Sequence, residues 1–429
     1  MLILHISDIH FRAGNPDLDP DLPYRTILLN HLRDFVEKSG ETVDALLIGG
    51  DIAYSGLKAE YDIALKWIYE LAEICGCKRE RIFVIPGNHD VDQGIIKARL
   101  IVQNAQQAIA LATDQEKALR TQFLHKETGD ALLAPLAAYN ELAALFQCQV
   151  YTPDRLYWHQ NIPLDDTGVD LRIYGLTSTL LSGAGSAAGV QDSKQSLYLS
   201  PLQTVLNPVD NVVNLVMCHH PPEWLKDGED VAEKVKERSA IQLFGHRHRQ
   251  RVDPSPRYIT LNAGAVNPER NEPGWEPGYN IIKLELGKTG SAYHLDVEAH
   301  LMCWQSNPDC FRPKRQFDGS DVLKHRVGLA NNIRPKAAAS AKPQTAAAVV
   351  TQAVDAEAAM GDERSRNIVL RFWNLASSQR REIVEKLDLI DSADMKLAEP
   401  ERYGRALTRA GERKLMNELA EEIEQMENQ

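Results

Sequence analysis

The sequence predicts an α/β layered domain with a helical insertion, followed by a small all-α C-terminal module. Three observations carry that reading. Short apolar runs alternate with segments of helical period through the first half of the chain. Those runs stop at glycines or at clusters of His, Asp and Asn. A stretch rich in Ala and Pro then separates this pattern from a shorter region that regains helical period.

The first strand is LILHI, residues 2–6. Residues 25–38 set Ile27, Leu28, Leu32, Phe35 and Val36 at helical spacing. VDALLIGGD reads as a buried strand ending in glycines, 58–75 as a second helix, and RIFVIPGNHD as a third strand with a polar end. In open α/β sheets ligands sit at the carboxyl ends of strands. Those ends carry Asp8 and His10, then Asp51, then Asn88 and His89. Residues 97–147, rich in Ala, Leu and Gln, read as a helical insertion. Strand then returns at 168–180, with the loop SGAGSAAG after it. NVVNLVMCHHPP and AIQLFGHRHR are strands closed by histidines, and YITLNAGA and GYNIIKLEL are the last strands of the pattern. These boundaries predict a catalytic domain over 1–330, a linker over 331–363 and a helical module over 364–429. In the module, Ile368, Leu370, Phe372, Trp373 and Leu375 restore aromatic and helical character. Ser377 or Ser378 is expected to cap the next helix, and 411–429 to form one charged amphipathic helix.

The 429 residues carry a net charge of -12, which excludes a bulk basic coat for nucleic acid but not a local basic groove. No run of 18 apolar residues predicts a membrane span. The N-terminus reads as a strand rather than an export signal, so reduced thiols and a cytoplasmic location are expected. Cys75 and Cys77 either share a metal or flank the end of a helix capped by Gly76.

A carboxylate or imidazole at the end of an apolar strand is costly unless something compensates it. Here Asp8, His10, Asp51, Asn88, His89, His219, His220, His246 and His248 recur at successive strand ends of one domain. That recurrence predicts a metal centre. Imidazole, carboxylate and amide donors without thiolate suit Mn, Fe or Zn. Seven donors exceed one tetrahedral ion and suffice for two divalent ions if one carboxylate bridges. Such a pair clamps a phosphoryl group and activates a bridging water or hydroxide. Glycines 49, 50, 87 and 245 are expected to let the backbone turn beneath the ligands.

Asp8-Ile9-His10, Gly50-Asp51, Gly87-Asn88-His89-Asp90, His219 and Gly245-His246-Arg247-His248 resemble, in order, the five blocks of the calcineurin-like metallophosphoesterase superfamily. The resemblance covers roughly residues 1–265. It implies a four-layer α/β/β/α sandwich. It also implies that Asp8, His10, Asp51 and His248 hold one ion, and that Asp51, Asn88, His219 and His246 hold the other. His89 would face the phosphate as stabiliser or general acid. Asp90 would either orient His89 or cap the helix after the loop. His219 matches the family pattern, which leaves His220 as a supporting donor or a pocket wall. Tyr54 matches a ligand position of one branch, but His10 points to a different branch and leaves Tyr54 to packing. Arg247, Arg249 and Arg251 either bind a second phosphate or pair with carboxylates.

The overall look is similar to bacterial cyclic-nucleotide phosphodiesterases and repair nucleases. It implies phosphodiester hydrolysis, with nucleotide or nucleic acid as substrate. A phosphomonoesterase, a protein phosphatase, and a binding protein with a vestigial site are the alternatives. The C-terminal stretch FWNLASSQRREIVEKL is similar to small helical adaptor domains of bacterial effectors, which implies a protein partner. The other reading is that these helices pack on the catalytic domain or dimerise it.

Overall fold

Leu2–Ile6, Ala45–Ile48 and Ile82–Val84 are parallel neighbours, in the register Ile3 with Ala45 and Leu46 with Ile82. All their residues are buried, so both faces of the strands are covered. The computed structural model describes residues 1–14, 19–150, 156–268, 276–330, 332–334 and 361–428. Gly278–Thr289 runs antiparallel to the first strand, and Ala292–Gln305 pairs with it. Cys310–Pro313 and Leu323–Gly328 both pair with Ala292–Gln305 and complete a sheet of seven.

The second sheet has the order Tyr157–Pro163, Asp170–Leu176, Val212–Cys218, Ile241–Phe244, Tyr258–Asn262, Arg251–Ser255. Its four central strands are parallel. Side chains of both sheets and of the helices Leu22–Ser39, Lys58–Cys75 and Gly228–Arg238 form one continuous core. The fold is α/β, with two mixed sheets and helices that share one core, plus the C-terminal helices. Lys58–Cys75 ends as expected at Gly76, whose left-handed backbone donates to Ala72 and Glu73 carbonyls. Cys75 and Cys77 are buried there, burial pushes both thiols up to about 12, and among the described residues neither belongs to a group placed to hold a metal.

The insertion is helical. It comprises Gln93–Ala98, Leu100–Ala110, Gln115–Leu124, Lys126–Leu133 and Ala137–Ala144. Most of the expected linker lies outside the described residues. Ile333 still belongs to the first core, and Glu363 already opens a helix.

Beyond it, Glu363–Asn374, Ser377–Lys386, Glu399–Glu412 and Met416–Glu427 enclose a separate core of Ile368, Phe372, Leu407, Leu419 and their neighbours. Two local expectations are corrected. The residue before Ser377–Lys386 is Ala376, and Gln379 supplies the cap by accepting the Ala376 N–H at 2.9 Å. The charged terminal segment is broken, because Lys414 is left-handed (φ +59°) and turns the chain between two helices. That reversal brings Leu407 and Leu419 into one core.

The module packs on the catalytic domain through Arg366, which is buried. Its guanidinium donates to the Glu80 carbonyl (2.6 Å), the Gly361 carbonyl (2.7 Å), the Gln160 side-chain oxygen (3.0 Å) and the Asn161 carbonyl (3.2 Å). Arg366→Ala removes all four donated bonds; the Gly361 carbonyl keeps the Asn161 N–H, while the Glu80, Gln160 and Asn161 oxygens lose this donor. We expect a loss of about 3 kcal/mol at this contact, since each charge-assisted bond contributes about 1.5–3 kcal/mol. Scanning calorimetry should then separate the module's unfolding from that of the catalytic domain. A single unshifted transition would show that Arg366 does not couple the two.

Candidate metal centre

All the candidate ligands follow the carboxyl ends of parallel strands, where the two sheets meet. The sheets are joined there by backbone bonds from Val266 N–H to Ser7 O (2.9 Å) and from Asn267 N–H to Asp8 O (3.1 Å). Asp51 lies at the middle, 1 % exposed. Its Oδ2 is 3.4 Å from His10 Nε2 and 3.2 Å from His219 Nε2, and its Oδ1 accepts the His89 backbone N–H at 2.7 Å. On one side, Asp8 Oδ1 lies 3.1 Å from His248 Nε2. On the other, Asn88 Oδ1 is met by His246 Nδ1 (2.9 Å), His219 Nε2 (3.2 Å) and His220 Nε2 (3.2 Å).

Among the described residues the donor atoms fall into four overlapping groups: Asp8, His10 and His248; His10, Asp51 and His89; Asp8, Asp51 and His219; and His219, His220 and His246. Within each group the donor atoms lie within 4.8 Å of one another. Oxygen and imidazole donors converging at this spacing fit divalent ions of the Mn, Fe or Zn class. His220 is a donor that motif matching leaves out.

The backbone shows how such crowding is achieved. Asp8, His10, Asp51, His246 and His248 all adopt left-handed φ values between +52° and +67°. Each non-glycine residue held there costs about 1–3 kcal/mol, and such residues cluster at functional sites. The turning thus falls mainly on the candidate ligands themselves. Of the four glycines expected to turn, Gly50 is left-handed (φ +98°), and a Cβ there would stand 2.6 Å from His219 Nδ1. Gly87 is extended and is needed for space instead, because a Cβ would overlap the Asp51 carboxylate.

Second partners set the rings. His219 Nδ1 bonds the Gly49 carbonyl (2.8 Å), and His10 Nδ1 the Asn267 carbonyl (3.1 Å). These contacts leave Nε2 of each ring for the centre. Asn267 escaped the sequence reading; its only signal was an Asn-Pro turn after the strand YITLN. Burial would raise Asp8, but His248 and His219 hold it well below the usual carboxylate range. Asp51 is likewise lowered against burial, by His219, His89 and His10. Burial opposes charge on His219, yet Asp51 pushes it up to about 9. His246 is lowered to about 3 by burial and by His219.

A ring must shed its proton to bind a metal. His219 keeps its proton below about 9, so metal and proton compete there across neutral pH. Apparent metal affinity should therefore rise between pH 6 and 9 and fall toward acid, with about one proton released per loading event near pH 7. Calorimetric titration in buffers of different ionisation enthalpy measures this. Affinity independent of pH would contradict it.

Three sequence expectations change. Asp90 does not touch His89. It is buried and accepts the N–H groups of Ile52 (3.1 Å), Ala53 (2.9 Å) and Gly87 (2.8 Å) and the Tyr61 hydroxyl (2.8 Å). A carboxylate so engaged braces the two loops rather than serving as a catalytic group. The Tyr54 carbonyl orients His89 instead, at 2.8 Å from Nδ1. His220 is fully buried between Ser178 Oγ (2.8 Å) and Asn88, so it is no open substrate contact. Arg247 is ion-paired with Glu223, so its charge already meets a carboxylate. Among the described residues no helix is long and apolar enough to cross a membrane.

Residues 1–250 match the calcineurin-like phosphoesterase family, and residues 364–425 match the GTPase-associated adaptor domain. A curated relative, the glycerophosphodiester phosphodiesterase GpdQ of Enterobacter lignolyticus (strain SCF1), is 35% identical over 96 residues. The match covers 21% of this chain and 30% of the relative, so it spans about a third of that protein. Among solved structures, GAP50 of Plasmodium is 11% identical over 78% of this chain and 91% of its own, with a TM-score of 0.41. A putative 5'-nucleotidase of Staphylococcus aureus is 14% identical over 66% of this chain and 51% of its own, with a TM-score of 0.33.

Proposed function

From a chain that belongs to the calcineurin-like phosphoesterase family, and is therefore a phosphoester hydrolase, we propose a phosphodiesterase working with two divalent ions held by Asp8, His10, Asp51, Asn88, His219, His246 and His248. The observation that carries this reading is the position of Asp51, whose one carboxylate oxygen is in reach of rings from both clusters, His10 and His219. Ions bound there supply Lewis acidity and lower the pKa of a coordinated water.

The chain's own groups do the remaining work. The two histidine clusters would hold the ions at the carboxyl ends of the strands, where the phosphoryl group would sit. His89 has Nδ1 tied to the Tyr54 carbonyl, which leaves Nε2 to exchange a proton with the leaving oxygen. The His89 backbone N–H on Asp51 fixes the position of the ring relative to the shared carboxylate. The GpdQ stretch, though short, favours diesters over monoesters. The test compares bis-p-nitrophenyl phosphate with p-nitrophenyl phosphate in the presence of Mn²⁺. Faster diester turnover is expected, and a preference for the monoester would overturn the reading.

The helical module is the proposed seat of a protein partner. The name of its family makes a GTPase-containing chain the first to test by co-elution.

A further inference from the structure

The loops that follow the first two strands are zipped together: Phe11 N–H donates to Ile52 O (2.9 Å) and Tyr54 N–H to Phe11 O (2.9 Å). This pairing sets Arg12 opposite Tyr54. The Arg12 guanidinium carbon lies 3.4 Å over the Tyr54 ring centre. The Tyr54 ring is 5.3 Å from that of His89, which is 4.7 Å from that of His10. A continuous row of groups therefore runs from the candidate metal ligands to an exposed cation.

Among the described residues Arg12 makes no ion pair, whereas Arg247 is neutralised by Glu223. Stacking holds the guanidinium plane and leaves its N–H edge free for a planar or tetrahedral anion.

We propose that Arg12, mounted on Tyr54, is an anion subsite for a phosphate carried by the leaving group of the diester. The inference rests on the reading of His89 as the residue facing the leaving oxygen. It names the substrate class as diesters whose leaving alcohol bears its own phosphate, such as 5′-phosphorylated dinucleotides. In pApA, the oxygen of water bonds to phosphorus and the P–O3′ bond breaks. O3′ leaves with a proton on the fragment that bears the 5′-phosphate. Both products are then AMP. In ApA the same step releases a neutral adenosine.

Steady-state kcat/KM for pApA and ApA with Mn²⁺ tests this in the full chain, in Arg12→Ala and in Arg12→Lys. The wild type should prefer pApA by about tenfold at low salt, the scale of one partly solvated charge pair. The preference should vanish in Arg12→Ala, survive in part in Arg12→Lys, and shrink as salt screens the contact. Because the readout is a ratio within one variant, general damage to the site cancels. Equal rates for pApA and ApA in the wild type overturn the subsite alone, as does an unchanged ratio in Arg12→Ala. No turnover of either dinucleotide or of bis-p-nitrophenyl phosphate overturns the phosphodiesterase reading and the subsite with it.

Discussion

Asp51→Ala should abolish turnover, lowering it by at least about a thousandfold, and should weaken metal loading in the same protein. The residue is buried, contacts His10 and His219 through one oxygen, and takes the His89 N–H on the other. Its removal uncouples the two clusters and leaves two imidazoles without their anionic partner. Loss of several kcal/mol of transition-state stabilisation corresponds to that factor. Elemental analysis after gel filtration, alongside diester turnover, measures both effects. A variant that keeps two ions and full rate would show that Asp51 is not shared between them.

The second large effect concerns His89. His89→Ala should retain metal but lose about 10²–10⁴ in kcat, the usual worth of a group that moves a proton in the transition state. The ring is half-buried beside His10, and its backbone rather than its side chain contacts Asp51 by hydrogen bond. Truncation at Cβ therefore leaves the shared carboxylate in place. The discriminating measurement is the leaving-group dependence. Diesters of strongly acidic phenols need little proton donation and should lose less rate than alkyl diesters. Equal losses for both would reassign His89 to electrostatic stabilisation of the phosphoryl oxygens, and loss of metal would reassign it to ligation.

Much of the site is legible in the sequence because it obeys a local rule. A strand that is apolar throughout and then ends in Asp, Asn or His announces a compensated polar cluster, and five such ends stand in one chain. The helices Lys58–Cys75 and Leu22–Ser39 are legible from period and from the glycines that stop them. What was misread involves partners distant in sequence. Asp90 is adjacent to His89 in the chain, yet its carboxylate is claimed by N–H groups 37 and 38 residues away. Arg247 sits between two candidate ligands, but Glu223 takes its charge. Arg12 follows a motif residue without belonging to it, and only the zipped loops show what it faces.

The α/β architecture, the order of the polar strand ends, the separate C-terminal helices and the class of donor atoms can be read along the chain, since apolar period and residue type are properties of neighbours in it. Which rings reach Asp51, that His220 joins Asn88, and that Glu223 pairs with Arg247 emerge only in the folded chain. Those outcomes depend on distances across two sheets and on left-handed backbone at Asp8, His10, Asp51, His246 and His248. Asp and His enter that region more readily than other non-glycine residues but still seldom, so five such residues in one cluster are held there by the packing around them.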